Sequence, residues 1–232
     1  MDSGNCWNDL SDVLRAGVDR VILFGPPGTG KTHAALHLDV AGGVERLICT
    51  EDITSAEVTG SYVPTGGGGW QWHDGPAIRA WRYGRRFVVD EVDRASGDVL
   101  SLLLAMTDTN GSAQWHHPVT GEVIRPEPGY SVIMTTNLEE MALLPPALRD
   151  RFPVAIRIDR PHPEALTLLH PDLRAAAAHG SCGDASRRVS LRSFYAFDRL
   201  RVDLGATRAA QLLFGDQAAD FLDALRIGSV SP

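Results

Sequence analysis

The chain has 232 residues, 44% of them hydrophobic, so it can bury a substantial core and fits one ordinary domain plus a smaller one. Its net charge of -7 argues against a surface generally attractive to nucleic acid. No run approaches the ~18 apolar residues of a membrane span, and the acidic N-terminus does not resemble a signal peptide. Cys6, Cys49 and Cys182 are odd in number and match no metal spacing, so they read as reduced thiols of a cytoplasmic protein without membrane insertion.

In chain order, Leu10, Val13 and Leu14 fall at helical spacing over residues 9–17, with Gly17 as a stop. Met1 to Asn8 read as loose, with Trp7 an anchor. The apolar run Val21–Phe24 is a strand. Behind it, Gly25-Pro26-Pro27-Gly28-Thr29-Gly30-Lys31-Thr32 fits the phosphate-cradling pattern G-x-x-x-x-G-K-[ST], and a helix follows over 32–38. Glycines there let backbone N–H groups turn toward an anion, and the helix start adds partial positive charge. Lys31 supplies a compact charge for the outer phosphates and Thr32 a hydroxyl for Mg²⁺. Lysine and arginine total 22 and Lys31 is the only lysine, leaving 21 arginines, so Lys31→Arg is not a conservative change.

Arg46 to Thr50 reads as a second buried strand. Glu51 to Arg86 holds Gly66 to Gly69 between aromatics, which suits either a flexible loop or a hairpin tip. Ala77 to Tyr83 is helical, with Gly84 ending it. The strand Phe87-Val88-Val89-Asp90-Glu91 ends in two acids. Asp90 is placed to hold Mg²⁺ with Thr32, and Glu91 to polarise a water as general base. Residues 98–108 form an apolar, largely buried helix. Residues 110–129 fit a hairpin with His116-His117 solvated at its tip. Tyr130 to Thr136 is a strand with Asn137 at its end, residues 143–152 a short helix, and Val154 to Ile158 the last strand. Arg160-Pro161-His162-Pro163 marks a boundary. Beyond it the sequence predicts helices over 163–179, 190–203, 206–213 and 216–227.

This ordered set resembles the AAA+ ATPases, closest to their MoxR-like and McrB-like branch, including the CbbQ/NorQ type. The matches are Gly25 to Thr32, Trp72 to Gly84, Asp90-Glu91-Val92-Asp93-Arg94-Ala95, Thr135-Thr136-Asn137 and Leu148 to Phe152. The resemblance implies a P-loop three-layer α/β/α sandwich around a parallel sheet over residues 1–160 and a helical lid over 161–232. It implies that Asn137 is sensor 1, that Arg151 or Arg149 is the arginine finger, and that Arg192, in Ser190-Leu191-Arg192, is sensor 2 at the phosphates. The Gly60-to-Trp72 segment corresponds to the helix-2 insert and residues 110–129 to the pre-sensor hairpin.

The function so implied is Mg²⁺-dependent ATP hydrolysis by a hexameric or hetero-oligomeric ring. Such a ring remodels a partner protein, in this branch commonly a von Willebrand A-type protein. Two other classes stand beside it. A McrB-like nucleic-acid motor would draw on the local basic cluster Arg79, Arg82, Arg85 and Arg86, and salt-dependent DNA binding separates it. A non-hydrolysing ATP-gated binding module would have no need of Asp90, Glu91, Asn137 and Arg151 together.

Overall fold

The computed structural model describes residues 5–95, 97–108, 111–181 and 188–228, so Cys182 and Asn110 lie outside the described residues. These residues form two compact units. One comprises the chain up to Gly25 together with Lys31–Arg157. The other comprises Pro26–Gly30 and the chain from Ile158 onward.

In the first unit, α1 (Cys6–Arg15) starts earlier than the periodicity suggests, because the Asn5 side chain accepts from the Trp7 amide and caps it. Cys6 and Trp7 are therefore buried rather than loose. The chain continues through β1 (Arg20–Phe24), α2 (Lys31–His37), β2 (Val44–Ile48), α3 (Ser55–Thr59), β3 (Gly60–Pro64), β4 (Trp70–Asp74), α4 (Pro76–Arg82) and β5 (Arg86–Asp90). It then runs through α5 (Gly97–Met106), β6 (Trp115–His116), β7 (Val123–Ile124), β8 (Ser131–Thr135), α6 (Pro146–Arg151) and β9 (Val154–Arg157).

Five strands make one parallel sheet in the order β2-β5-β8-β1-β9. Successive strand residues point to opposite faces. Ile22, Phe87, Val89, Val132 and Met134 face a core built with Val58, Ile78, Trp81, Leu103 and Leu148 from α3 to α6. Arg86 and Asp90, which alternate with them, face α2, as their bonds to Ala35 and Thr32 of that helix show, and Val88 shares their side of the strand. β2 is an edge strand whose alternate residues are exposed, so the expected buried strand is only half buried.

The glycine-rich stretch is a hairpin. β3 pairs antiparallel with β4 from Gly60↔Asp74 to Pro64↔Trp70, and the Thr65 amide closes the tip on the Gly69 carbonyl at 2.8 Å. Trp72 fixes it to the β6–β7 hairpin, with ring centroids 6.2 Å from Trp115 and 5.5 Å from His117. The expectation of two solvated histidines is corrected for His117, which is buried. Its Nδ1 accepts from the Val119 and Thr120 amides, which leaves the proton on Nε2, facing Asp74 at 3.6 Å.

The second unit carries α7 (Pro163–Thr167), α8 (Pro171–Gly180), α9 (Leu191–Leu204), α10 (Ala206–Phe214) and α11 (Ala218–Gly228). The single helix expected over 163–179 is two, because Pro171 cannot continue a helix and instead occupies the first position of α8. Leu173, Ala177, Phe194, Phe197, Ala209 and Phe221 pack its core.

Candidate functional site

The face of β5 that meets α2 builds the first half of the site. The Thr32 hydroxyl donates to Asp90 Oδ1 at 2.7 Å. Four residues back along the same face, the Arg86 guanidinium donates to the carbonyls of Ala35 (3.2 Å), Leu38 (2.5 Å) and Asp39 (2.9 Å). A carboxylate thus lies at the N-terminal end of α2 and a cation at its C-terminal end, the polarity that a helix favours. The strand fixes where the helix begins, and with it where Lys31 and Thr32 stand.

Asp90 is held from three sides. In the parallel register Val89 pairs with Met134, so the next residues, Asp90 and Thr135, are neighbours. The Thr135 hydroxyl donates to Asp90 Oδ1, and Arg46 from β2 pairs with Asp90 Oδ2 at 2.5 Å. Burial alone would raise the pKa of this carboxyl. The bonds from Thr135, Arg46 and Thr32, with the Arg46 charge, outweigh burial and hold it below the ordinary carboxylate value. Asp90 is therefore ionised at neutral pH. The neighbouring Cys49 thiol is pushed up to about 12, first by burial and then by Asp90, Asp93 and Glu91, so it is an inert thiol.

Glu91 leaves the strand in the left-handed region, at φ 56° and ψ 47°, a conformation costly for a non-glycine residue. This turn aims its carboxylate back toward β8. There the Asn137 Nδ2 donates to Glu91 Oε1 at 3.2 Å, and Arg94 pairs with Glu91 Oε2 at 2.9 Å. Asn137 Oδ1 accepts from the Lys31 ammonium at 3.1 Å, and Lys31 also donates to the Gly25 carbonyl at 2.8 Å. Lysine only donates and a carboxylate only accepts, so the orientation of the Asn137 amide is determined. Lys31, Asn137 and Glu91 form one connected chain.

The loop itself suits an anion. Gly28 and Gly30 have φ of 80° and 102°, and among the described residues their amides donate to no acceptor. A Cβ on Gly28 would stand 2.8 Å from the Ser190 Cβ, so only glycine fits. Thr29, buried, donates its hydroxyl to the Pro26 carbonyl at 3.1 Å and braces the turn, and Pro27 carries it to Gly28. Thr32 and Asp90 offer hard oxygen ligands of the kind Mg²⁺ takes. The residues present thus fit both a nucleotide phosphate chain and its metal.

The remaining candidates stand elsewhere. Arg149 and Arg151 lie on α6, and among the described residues neither meets a carboxylate. Among the described residues, Arg151 bonds only the Ala147 carbonyl of its own helix, at 3.3 Å, and its buried Nε meets no partner. Arg192 is exposed in the first turn of α9, whose cap is Ser190.

Sequence reading missed the roles of Arg46, Arg94 and the Thr135 hydroxyl in this network. A signal existed for Arg46, an arginine directly before the apolar run Leu47-Ile48-Cys49, but which carboxylate it meets depends on strand order. The basic cluster on and beside α4 is also resolved. Arg79 and Arg85 pair with buried Glu45 at 2.8 and 2.7 Å, Arg82 with Asp74 and Glu122 at 2.7 and 2.9 Å, and Arg86 is buried against α2.

Among known proteins, the chain is similar to an uncharacterized protein of Staphylococcus haemolyticus, 34% identical over 161 residues that make up 66% of this chain and 60% of that one. An uncharacterized Staphylococcus saprophyticus protein is 30% identical over the same length and shares. One of Staphylococcus aureus is 33% identical over 147 residues, 60% of this chain and 55% of its own. The chain thus spans less than two thirds of these relatives. A solved structure from Cytophaga hutchinsonii matches with a TM-score of 0.48 at 24% identity, over 68% of this chain and 46% of that one. The model of the AAA domain (dynein-related subfamily) matches residues 20–152, a span from β1 through α6 that takes in every residue of the Lys31–Asn137–Glu91 chain. On that match, which covers more than half its length, the chain belongs to the dynein-related subfamily of AAA domains.

Proposed function

We propose that the chain hydrolyses ATP with Mg²⁺ as a subunit of a ring, a homo-hexamer or a hetero-oligomer, and that the ring remodels or activates a partner protein as MoxR-like assembly factors do. One observation carries the reading. Lys31, Asn137 and Glu91 form a hydrogen-bonded chain beside the Thr32–Asp90 pair, at the C-terminal end of the sheet where open α/β folds bind ligands.

Each residue then has a task. Gly25 to Gly30 receive the phosphates, Lys31 neutralises the outer ones, and Thr32 with Asp90 holds the metal, whose chemistry is to neutralise charge developing on the phosphoryl oxygens. Glu91 takes the proton of the attacking water, positioned by Asn137. Arg192 is proposed as sensor 2, a further phosphate contact. Arg151 is supplied to a neighbouring subunit's nucleotide, with Arg149 the second candidate. An arginine that meets no carboxylate among the described residues suits that task, since one already paired would have to break its ion pair first.

The partner is a protein, and a von Willebrand A-type domain is the class proposed. A nucleic-acid motor is less well supported, because Arg79, Arg82 and Arg85 of the local basic cluster are held in internal ion pairs and Arg86 is buried against backbone carbonyls. A purely ATP-gated module has no use for Glu91 held by Asn137.

The test is ATPase rate per chain against protein concentration, with mass followed by light scattering with and without ATP. The specific rate should climb as a ring assembles. Glu91→Gln and Arg151→Ala should each abolish turnover while keeping nucleotide. A constant rate from a monomer would remove the ring and the finger, and wild-type turnover by Glu91→Gln would remove the base assignment.

A further inference from the structure

Asp90 has a cation on it already. Its side chain is only 6% exposed, and a buried carboxylate needs a counter-charge. Oδ1 is taken by the Thr32 and Thr135 hydroxyls. Oδ2 is taken by the Arg46 guanidinium at 2.5 Å. Both oxygens that would receive a hydrated Mg²⁺ are therefore engaged, one of them by a positive charge.

Arg46 stands on the edge strand with its side chain 40% exposed, paired in register with Val88, two residues before Asp90 on the same face. From there it reaches forward to the carboxylate, and its flexible stem can return the guanidinium to water. Two cations drawn to one carboxylate oxygen repel each other, so arrival of the metal favours that return.

Resting on the nucleotide-site reading above, we infer that Arg46 is a displaceable counter-ion for Asp90. It holds the carboxylate in place, competes with Mg²⁺ for it, and is released to the surface of β2 when Mg·nucleotide binds. The residue is a positioning residue: it acts through Asp90 rather than on the substrate.

The inference makes a signed prediction that mere structural damage would not produce. In Arg46→Met, which keeps the stem and removes the charge, the Mg²⁺ concentration that half-saturates the fluorescence of bound mant-ATP should fall roughly two- to fivefold, the scale of a half-exposed charge pair. Arg46→Lys should restore the wild-type value. In parallel, the melting temperature of Arg46→Met in EDTA should drop below wild type by several degrees, and the deficit should vanish in saturating Mg²⁺ and ATP. An unchanged or higher Mg²⁺ requirement in Arg46→Met overturns the inference. So does a melting deficit equal in the two conditions, which would make Arg46 a purely structural ion pair. If wild type itself binds mant-ATP without any Mg²⁺ dependence, or not at all, the nucleotide-site reading fails first, and that failure is visible before any variant is compared.

Discussion

Asn137→Asp tests the central chain of the site with the least change of shape. The substitution keeps the oxygen that accepts from Lys31 at 3.1 Å and replaces the amide that donates to Glu91 at 3.2 Å with a second carboxylate oxygen. Two full charges at 3.2 Å repel by about 5 kcal/mol at an effective dielectric of ~20. The Glu91 side chain is 33% exposed, so solvent screening reduces this to about 1–2 kcal/mol. That is enough to empty the aligned position of Glu91 by roughly five- to thirtyfold. The assay is kcat with ATP beside the Kd of mant-ATP. The expected result is a fall in kcat of about five- to thirtyfold, with Kd within about threefold because the Lys31 contact survives. Wild-type kcat in Asn137→Asp would refute the claim that Asn137 positions Glu91.

Three further outcomes follow from the geometry. Arg86→Met leaves the C-terminal carbonyls of α2 without their donor inside the protein, and should destabilise the first unit by about 2–4 kcal/mol after allowing for relief of the buried charge. All five tryptophans lie in that unit, so urea unfolding followed by tryptophan fluorescence reads it directly. Asp172 is held well below the usual carboxylate range by Arg201, which grips both oxygens at 2.6 and 2.8 Å, and then by His170. Because its folded pKa is depressed, the stability it contributes is fully present above its unfolded value near pH ~4 and is lost as the pH falls further. The stability gap between wild type and Asp172→Asn should stay constant down to about pH 4 and close below it. Trp72→Ala removes the ring that Tyr62, Trp115 and His117 all contact. It should raise amide exchange in both the β3–β4 and β6–β7 hairpins while the central sheet keeps its protection.

The order of the five sheet strands and of α2, α4, α5 and α6 was legible from the sequence, whereas α3 was not read and the β3–β4 segment stood open between loop and hairpin. Short apolar runs ending in glycine, acid or asparagine mark buried parallel strands, and the residues with chemistry cluster at those ends. Lys31, Thr32, Asp90, Glu91 and Asn137 could be singled out for that reason. The helical unit was legible more coarsely, since periodicity alone does not reveal that Pro171 starts a new helix. What sequence could not supply was pairing across the chain. The Arg46–Asp90 contact exists because β2 lies beside β5 in the sheet, and the Thr135–Asp90 contact because β8 lies on its other side. His117 is buried because two hairpins far apart in sequence share Trp72. The sequence determined which residue types stand at the strand ends, because hydrogen-bonding periodicity and turn chemistry are local. Only the tertiary structure decided which charges meet, because the strand order that brings them within reach is set by packing of the whole sheet.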